Sequence, residues 1–361
     1  MLGISLGLSL GVAEIAVRLV APQQLIVARP DIWQAVDTLG WMHRPNVNTT
    51  INTGERTVPF LTDADGLRVG AKGRIAGTKR VMLLGDSFVA AMQVPYEQSI
   101  AGLLEQRLSE RLGVPVAIRN AGVNGYSPSQ YLMWVRRLAE REPFDAAVIM
   151  LYLGNDVLDW RTERHQPFQQ TVLRTFHWPA RLTWSEIVSS LLYPLNDFLK
   201  QRSHLFVLGK NQARTLLMRL GLTYLYVPEE ILRENANKPR WQLTADVCRD
   251  IATTAAARHI PVLFVLVPGN YQVEPVVFQQ YLEGFDIDPA TVDLEQPNRL
   301  LGATLAPYGL RTLDLLDTLR AEQRKGKRLY GRVDVHFSPE GNDAVERILE
   351  PTIVEMLRTA H

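Results

Sequence analysis

The stretch Val81-Met82-Leu83-Leu84, followed at once by Gly85-Asp86-Ser87-Phe88, constrains this chain more than any other. A short apolar run opening on a β-branched residue reads as a buried strand, and Gly-Asp-Ser reads as a sharp turn that presents a hydroxyl at the strand's C-terminal end. Beyond it, apolar residues recur at Ile100, Leu103, Leu104, Leu108 and Leu112, the spacing of one helical face. A strand, a serine-bearing turn and a helix open an α/β sheet, in which ligands bind beyond the carboxyl ends of the strands. A serine in such a turn can equally be a cap or turn residue. Its chemistry therefore depends on what else reaches that edge.

Three further blocks do. Val116–Arg119 reads as a strand followed by Asn120-Ala121-Gly122-Val123-Asn124-Gly125, and Ala147–Leu153 as a strand followed by Gly154-Asn155-Asp156. Asp334-Val335-His336 lies near the C-terminus, just before a helix that Ser338 and Pro339 suit as a start and that repeats Val345, Ile348, Leu349, Ile353 and Leu357. Between these blocks lie helices after Ser127-Pro128-Ser129, over Trp241–His259 and over Asn298–Tyr308, and strands over Pro261–Pro268 and Thr312–Leu315. The alternation predicts parallel pairing with right-handed crossovers, hence an α/β fold on a central parallel sheet of five strands.

The four blocks resemble those of the SGNH hydrolase superfamily, the GDSL-type esterases and lipases, whose name takes Ser, Gly, Asn and His from four separated positions. Here these are Ser87, Gly125, Asn155 and His336, and the resemblance runs roughly from Arg80 to Leu357 with insertions. It implies a flavodoxin-like three-layer sandwich. It also implies a triad of Ser87 as nucleophile, His336 as base and Asp334 as orienter. The oxyanion hole would be made by the backbone N–H of Ser87, the backbone N–H of Gly125 and the side-chain amide of Asn155, with Gly122 the competing glycine. These residue types suit acyl transfer, because a serine hydroxyl is a weak nucleophile until an oriented imidazole takes its proton, and the charge developing on the carbonyl oxygen needs preorganised donors. Asp86 reads as a turn-former rather than a second base. No Gly-x-Ser-x-Gly surrounds Ser87, which makes the α/β-hydrolase fold the weaker alternative.

The last block departs from the usual Asp-x-x-His. Asp334 and His336 are two apart, and Val333 occupies the place three before the histidine. An Asp-x-His version occurs among relatives that act on or acylate bacterial polysaccharides. The expected activity is therefore hydrolysis of an ester, with O-acetyl groups on a carbohydrate as the favoured substrate. An O-acyltransferase modifying exported or cell-surface polysaccharide would need the same residues, and a non-catalytic carbohydrate-binding relative is the reading from another class.

Composition limits the partners. Over 361 residues the formal net charge is +1, and no long basic run with interleaved aromatics makes a case for nucleic acid. The single cysteine, Cys248, falls on the apparent core face of a helix and excludes an intrachain disulfide or a cysteine-based zinc site. His165 and His177 have no carboxylate or cysteine at ligand spacing, and the acidic residues between Glu274 and Glu295 match no calcium loop, so neither metal nor cofactor is expected. Met1–Ala21 is apolar apart from Glu14 and Arg18 and lacks a basic residue before Arg18, which argues against a cleaved signal. It is expected to be a membrane anchor or signal-anchor helix of the membrane-anchored bacterial type, holding an extracytoplasmic catalytic domain, periplasmic or at the cell surface. An amphipathic surface helix is the alternative. The expected organisation is then a β-rich preface and linker over 22–79 and a catalytic domain over 80–361, with a helical insertion near 160–240 and a loop-rich one near 271–297.

Overall fold

The structure is a computed structural model that describes residues 2–23, 25, 31–157, 195–196, 198–219, 228–285, 287–332 and 334–359. Its strands are β1 (Trp33–Val36), β2 (Gly40–His43), β3 (Asn48–Asn52), β4 (Thr57–Thr62), β5 (Arg68–Val69), β6 (Lys79–Leu84), β7 (Val116–Asn120), β8 (Ala146–Tyr152), β9 (Val262–Val267) and β10 (Thr312–Asp314). Its helices are α1 (Leu2–Val20), α2 (Ser87–Ala90), α3 (Ile100–Leu112), α4 (Pro128–Ala139), α5 (His204–Arg219), α6 (Arg240–Ala256), α7 (Asn270–Val273), α8 (Pro275–Phe285), α9 (Gln296–Leu305), α10 (Leu316–Arg324) and α11 (Pro339–Thr359).

One sheet dominates, in the order β10-β9-β8-β6-β7-β5-β4-β3. From β10 to β7 neighbouring strands are parallel, and β5, β4 and β3 continue antiparallel. Among the described residues the sheet is thus eight-stranded and mixed: five parallel strands are extended by three antiparallel ones, where a purely parallel sheet of five was expected. The reason lies in the stretch before the first parallel strand: β5 pairs with the end of β7 at Arg68 and Asn120, which carries the β3–β4 hairpin onto the sheet. An edge strand exposes unpaired backbone groups, and the preface covers that edge. β1 and β2 form a separate hairpin.

Successive side chains of a strand face opposite sides, and each side finds helices. Met82, Leu84, Ile149, Leu151, Phe264 and Leu266 pack with Tyr131, Trp134 and Val135 of α4 and with Trp241, Ala245, Cys248 and Ile251 of α6. Val81, Leu83, Val148, Met150, Leu263 and Val265 pack on the other side with Ile100, Leu104 and Leu108 of α3 and with Val345, Leu349, Ile353 and Leu357 of α11. Burying each such side chain contributes roughly 1.5–3 kcal/mol before entropy is counted. The helix starts are local: Ser99 Oγ accepts the Gly102 N–H at 3.3 Å to open α3, and Gln130 Oε1 accepts the Ser127 N–H at 3.0 Å to open α4. Because β6 lies between β7 and β8, its C-terminal end is the middle of the sheet edge. Ser87 follows there.

The expectation of a membrane anchor is corrected. Among the described residues no helix is long and apolar enough to cross a membrane. α1 is largely exposed, and the two charges within it are spent on another helix. Glu14 accepts hydrogen bonds from Ser203 Oγ at 2.7 Å and from the N–H groups of His204 and Leu205 at 2.9 Å each, so it closes the N-terminus of α5. Arg18 donates to Glu14 at 2.7 Å and to the Arg202 carbonyl at 2.6 Å. Against the opposing effect of burial, Arg18 and these donors hold the Glu14 carboxyl down at about 2. With that correction the membrane partner and the extracytoplasmic placement inferred from an anchor lose their basis.

Of the stretch near 160–240, His165, His177 and Trp160 lie outside the described residues, as does Val333. The stretch near 271–297, expected to be loop-rich, contains most of α7 and all of α8. α7 and α8 together bury Tyr271 and Leu282 beside Ile231 and Val292.

Candidate active site

The turn at the end of β6 is built around a glycine and an aspartate. A Cβ on Gly85 would lie 2.4 Å from a Val89 methyl, so any larger residue would push α2 off the sheet. Asp86 is the N-cap of α2, its Oδ1 accepting the Phe88 N–H at 2.9 Å. Ser87 is the first residue of the helix, which ends after one turn with Ala91 in the left-handed region at φ 46°. A non-glycine residue there is strained by about 1–2 kcal/mol. Arg68 holds it: from β5 the guanidinium donates to the carbonyls of Ala90 and Ala91 and, at 2.6 Å, to that of Val94. This arginine is fully buried, and burial pushes it down to about 10.

The C-terminal block comes to the same place. Tyr330 and Phe337 form a bridge and the Gly331 N–H donates to the His336 carbonyl at 2.9 Å, closing a short loop that carries Asp334 and His336. His336 Nε2 lies 2.6 Å from Ser87 Oγ, while its Nδ1 hydrogen-bonds Asp334 Oδ1. The same carboxylate oxygen also accepts the backbone N–H of His336 at 2.9 Å. An aspartate readily accepts the N–H two residues on. The Asp-x-His spacing therefore lets one oxygen fix both the backbone and the ring. Phe88 supports the imidazole from the other side, with ring centroids 4.9 Å apart.

Charge follows geometry here. Burial would raise the Asp334 carboxyl, but the charge of the imidazole beside it and hydrogen bonds from the ring and backbone of His336 and from Gln93 hold it below the ordinary carboxylate range. Burial would lower His336, but the charge of Asp334, its hydrogen bond and the charge of Asp86 together raise it. Asp86 itself is raised by burial, against the Phe88 N–H, the charge of His336 and the Asn155 amide.

Asn155 follows β8 and donates from Nδ2 to Asp86 Oδ2 at 2.9 Å, so the N-cap of the nucleophile helix also orients that amide. Its loop is pinned by Asp156, fully buried, which accepts the Tyr152 N–H at 2.8 Å and the Tyr131 hydroxyl at 3.1 Å. In the second block the two glycines differ in kind. Gly122 donates its N–H to Asn120 Oδ1 at 3.0 Å, and a Cβ there would lie 2.4 Å from the Ala90 nitrogen, so it is a close-packing position under α2. Gly125 sits in the left-handed region at φ 77°, in the turn after β7. Ser87, His336 and Asp334 thus converge in one cluster, Asn155 joins it through Asp86, and Gly125 lies in the turn after the neighbouring strand.

Two contributors carried no signal in the sequence. They are Arg68, described above, and Gln93. Gln93 Nε2 lies 3.3 Å from Asp334 Oδ2 and 2.9 Å from His336 Nδ1. Among the described residues no group of histidine, cysteine, aspartate and glutamate side chains is placed to hold a metal ion.

The sequence over residues 83–344 matches the model of the GDSL-like lipase/acylhydrolase family. Among solved structures, similar ones include a lipolytic protein of the G-D-S-L family from Veillonella parvula, 13% identical, covering 75% of this chain and 96% of its own, with a TM-score of 0.40. A psychrotrophic esterase from Pseudoalteromonas is 12% identical over 78% of this chain and 100% of its own, TM-score 0.38. A mutant acetyl-xylooligosaccharide esterase from Geobacillus is 10% identical over 79% of this chain and 96% of its own, TM-score 0.39. None of the curated proteins matches the sequence.

Proposed function

The chain belongs to the GDSL-like lipase/acylhydrolase family, whose members act on ester bonds, and on that premise we propose that it is a serine esterase working through Ser87, His336 and Asp334. The observation that carries the proposal is the continuous contact from Ser87 Oγ to His336 Nε2 at 2.6 Å and from the other ring nitrogen to Asp334.

As Ser87 Oγ attacks the ester carbonyl carbon, its proton passes to His336 Nε2, and the ionised Asp334 stabilises the imidazolium that forms. The carbonyl oxygen becomes an oxyanion held by the N–H groups of Ser87 and Gly125 and by the Asn155 amide. Ser87 is the first residue of α2, so its N–H has no partner within the helix. When the tetrahedral intermediate collapses, the C–O bond to the alcohol breaks and His336 returns the proton to that oxygen. Water then attacks the acyl-serine with His336 again as base, releasing the acid and restoring Ser87. Asp86 positions Asn155 throughout. The ester proposed is an O-acetyl group on a carbohydrate, which the resemblance of the Asp334-Val335-His336 block to polysaccharide-acting relatives supports.

The test compares release of phenol from an aryl acetate and of acetate from an acetylated oligosaccharide, for the wild type, Ser87→Ala and His336→Ala. Steady release from both substrates that both substitutions abolish is expected. A single burst equal to the enzyme would instead favour transfer to a sugar hydroxyl, and release that persists in Ser87→Ala would end the proposal.

A further inference from the structure

The turn after β7 has two ways to point one peptide. Its segment runs beside the nucleophile turn, the N–H groups of Ala121 and Val123 donating to the carbonyls of Leu83 at 2.9 Å and Gly85 at 3.3 Å. The Tyr126 N–H then donates to the Val123 carbonyl at 3.2 Å, which closes a β-turn with Asn124 and Gly125 at its centre. Of those two only Gly125 has a positive φ, 77°, the signature of a type II turn. Type I and type II turns differ in the peptide between the central residues, which is turned over from one to the other. A glycine at the third position tolerates either, so the residue types of the turn do not choose between them.

Trp41 makes the choice. It lies in β2, ahead of the residues that match the family, and is buried; its indole Nε1–H donates to the Asn124 carbonyl at 3.0 Å. An indole nitrogen can only donate, so the direction of this bond is fixed. The Asn124 carbonyl and the Gly125 N–H belong to the same planar trans peptide and point opposite ways. Holding the one therefore aims the other. The same ring edge covers Gly125, where a Cβ would lie 3.4 Å from Trp41 Cζ2. Trp41 is held in turn by the segment it grips: its carbonyl accepts the Tyr126 hydroxyl at 2.5 Å, and its ring lies 5.6 Å from that of Tyr126. The Gly125 N–H, by contrast, makes no hydrogen bond among the described residues, and Gly125 is exposed.

We propose that Trp41 is a positioning residue for the oxyanion hole, which locks the peptide between Asn124 and Gly125 so that the Gly125 N–H is presented to the developing charge. The inference rests on the esterase reading for the role of that N–H, though not for the orientation of the turn. Two effects act together. With its carbonyl pinned, the peptide needs no reorganisation when the oxyanion forms. The indole also polarises the carbonyl it binds, which makes the N–H at the other end of the same peptide a stronger donor. Without the indole N–H the carbonyl loses its partner, and the turn is free to take the type I form, in which the Gly125 N–H is directed the other way. The β1–β2 hairpin thereby becomes a support of the catalytic edge as well as a lead into the sheet.

The experiment follows the turn and the reaction separately in the full chain, for the wild type, Trp41→Phe and Trp41→benzothienylalanine, in which sulfur replaces the indole N–H and the shape is kept. The second variant guards against a phenylalanine variant that does not fold. NMR of protein labelled at asparagine and glycine reads the turn: a strong contact from the Asn124 Hα to the Gly125 amide proton marks type II, and one between the two amide protons marks type I. The wild type is expected to show the first, and both variants to gain the second. On an aryl acetate kcat should fall on the order of tenfold with KM unchanged, since full loss of an oxyanion donor costs roughly a hundredfold or more and a turn that samples both forms retains part of it. A turn that stays type II in both variants overturns the inference even if the rate drops, because lost packing would slow the enzyme without turning the peptide. A turn that flips while kcat holds overturns it as well. Turnover that survives Ser87→Ala would count against the esterase reading alone, and the NMR contacts in the free protein would still decide whether Trp41 sets the turn.

Discussion

Asp86→Asn isolates one contact in this site. Asparagine is as good an N-cap as aspartate, so the 2.9 Å bond from the Phe88 N–H to Oδ1 survives and stability should change by no more than about 1 kcal/mol. The other oxygen is different. Asp86 Oδ2 accepts the Asn155 amide at 2.9 Å, and replacing it with an NH2 group sets donor against donor. The Asn155 side chain must then turn, either losing its bond to residue 86 or directing its carbonyl where an N–H should meet the oxyanion. Removing one oxyanion donor costs about 3 kcal/mol of barrier, roughly a hundredfold or more in kcat. Asp86→Asn should therefore approach the loss caused by Asn155→Ala. Because both act through the same amide, the double variant should be no slower than the slower single one. The assay is kcat on an aryl acetate at a pH above the His336 limb, since removing the Asp86 charge also lowers that limb. If the two losses multiply instead, to on the order of ten-thousandfold, Asp86 acts by a route other than Asn155 and the reasoning fails.

Other consequences follow from the same contacts. His336 is raised above the ordinary imidazole value of 6.5 and must be neutral to accept a proton, so kcat/KM should climb with pH through a limb above 6.5; a limb below that value would contradict the pairing with Asp334. The sign for stability is opposite: a raised histidine contributes stability that is complete below the unfolded value and lost as pH rises through the folded one, which urea titrations on either side of the limb would detect. Gly122→Ala should lower both stability and activity, because its Cβ would meet the Ala90 nitrogen at 2.4 Å; normal unfolding and turnover would show that α2 moves aside freely. Arg68→Met leaves three carbonyls without their donor, each worth about 1–3 kcal/mol when buried and unsatisfied, partly offset by removing a buried cation. A net loss near 3 kcal/mol in urea unfolding is expected, and a more stable variant would refute the clamp.

The parallel part of the sheet was legible because strands buried on both faces read as continuous apolar runs, and the helices covering them repeat at helical spacing. Ala147–Leu153 and Pro261–Pro268 illustrate the first, Ile100–Leu112 the second. The extension beyond β7 was not. β5 is two residues long, and its pairing of Arg68 with Asn120 leaves no periodic trace. The residues of the four blocks could be named from the resemblance, yet nothing local told that Asp334 would serve the His336 backbone and ring with one oxygen. Gln93 is invisible for a similar reason: its partners lie 241 and 243 positions away. The reading of α1 failed because Glu14 and Arg18 look like charges at a membrane interface until their partners are seen, and those begin at Arg202, 184 positions from Arg18.

The most direct test of the account is the intact mass of the protein after brief exposure to a phosphonate that mimics the ester transition state, beside Ser87→Ala and His336→Ala, with the modified peptide sequenced. One adduct per chain on Ser87, absent from Ser87→Ala and formed far more slowly in His336→Ala, is the predicted result. An unmodified wild type, or an adduct on any residue other than Ser87, would contradict the claim that this contact between serine and histidine is the catalytic one.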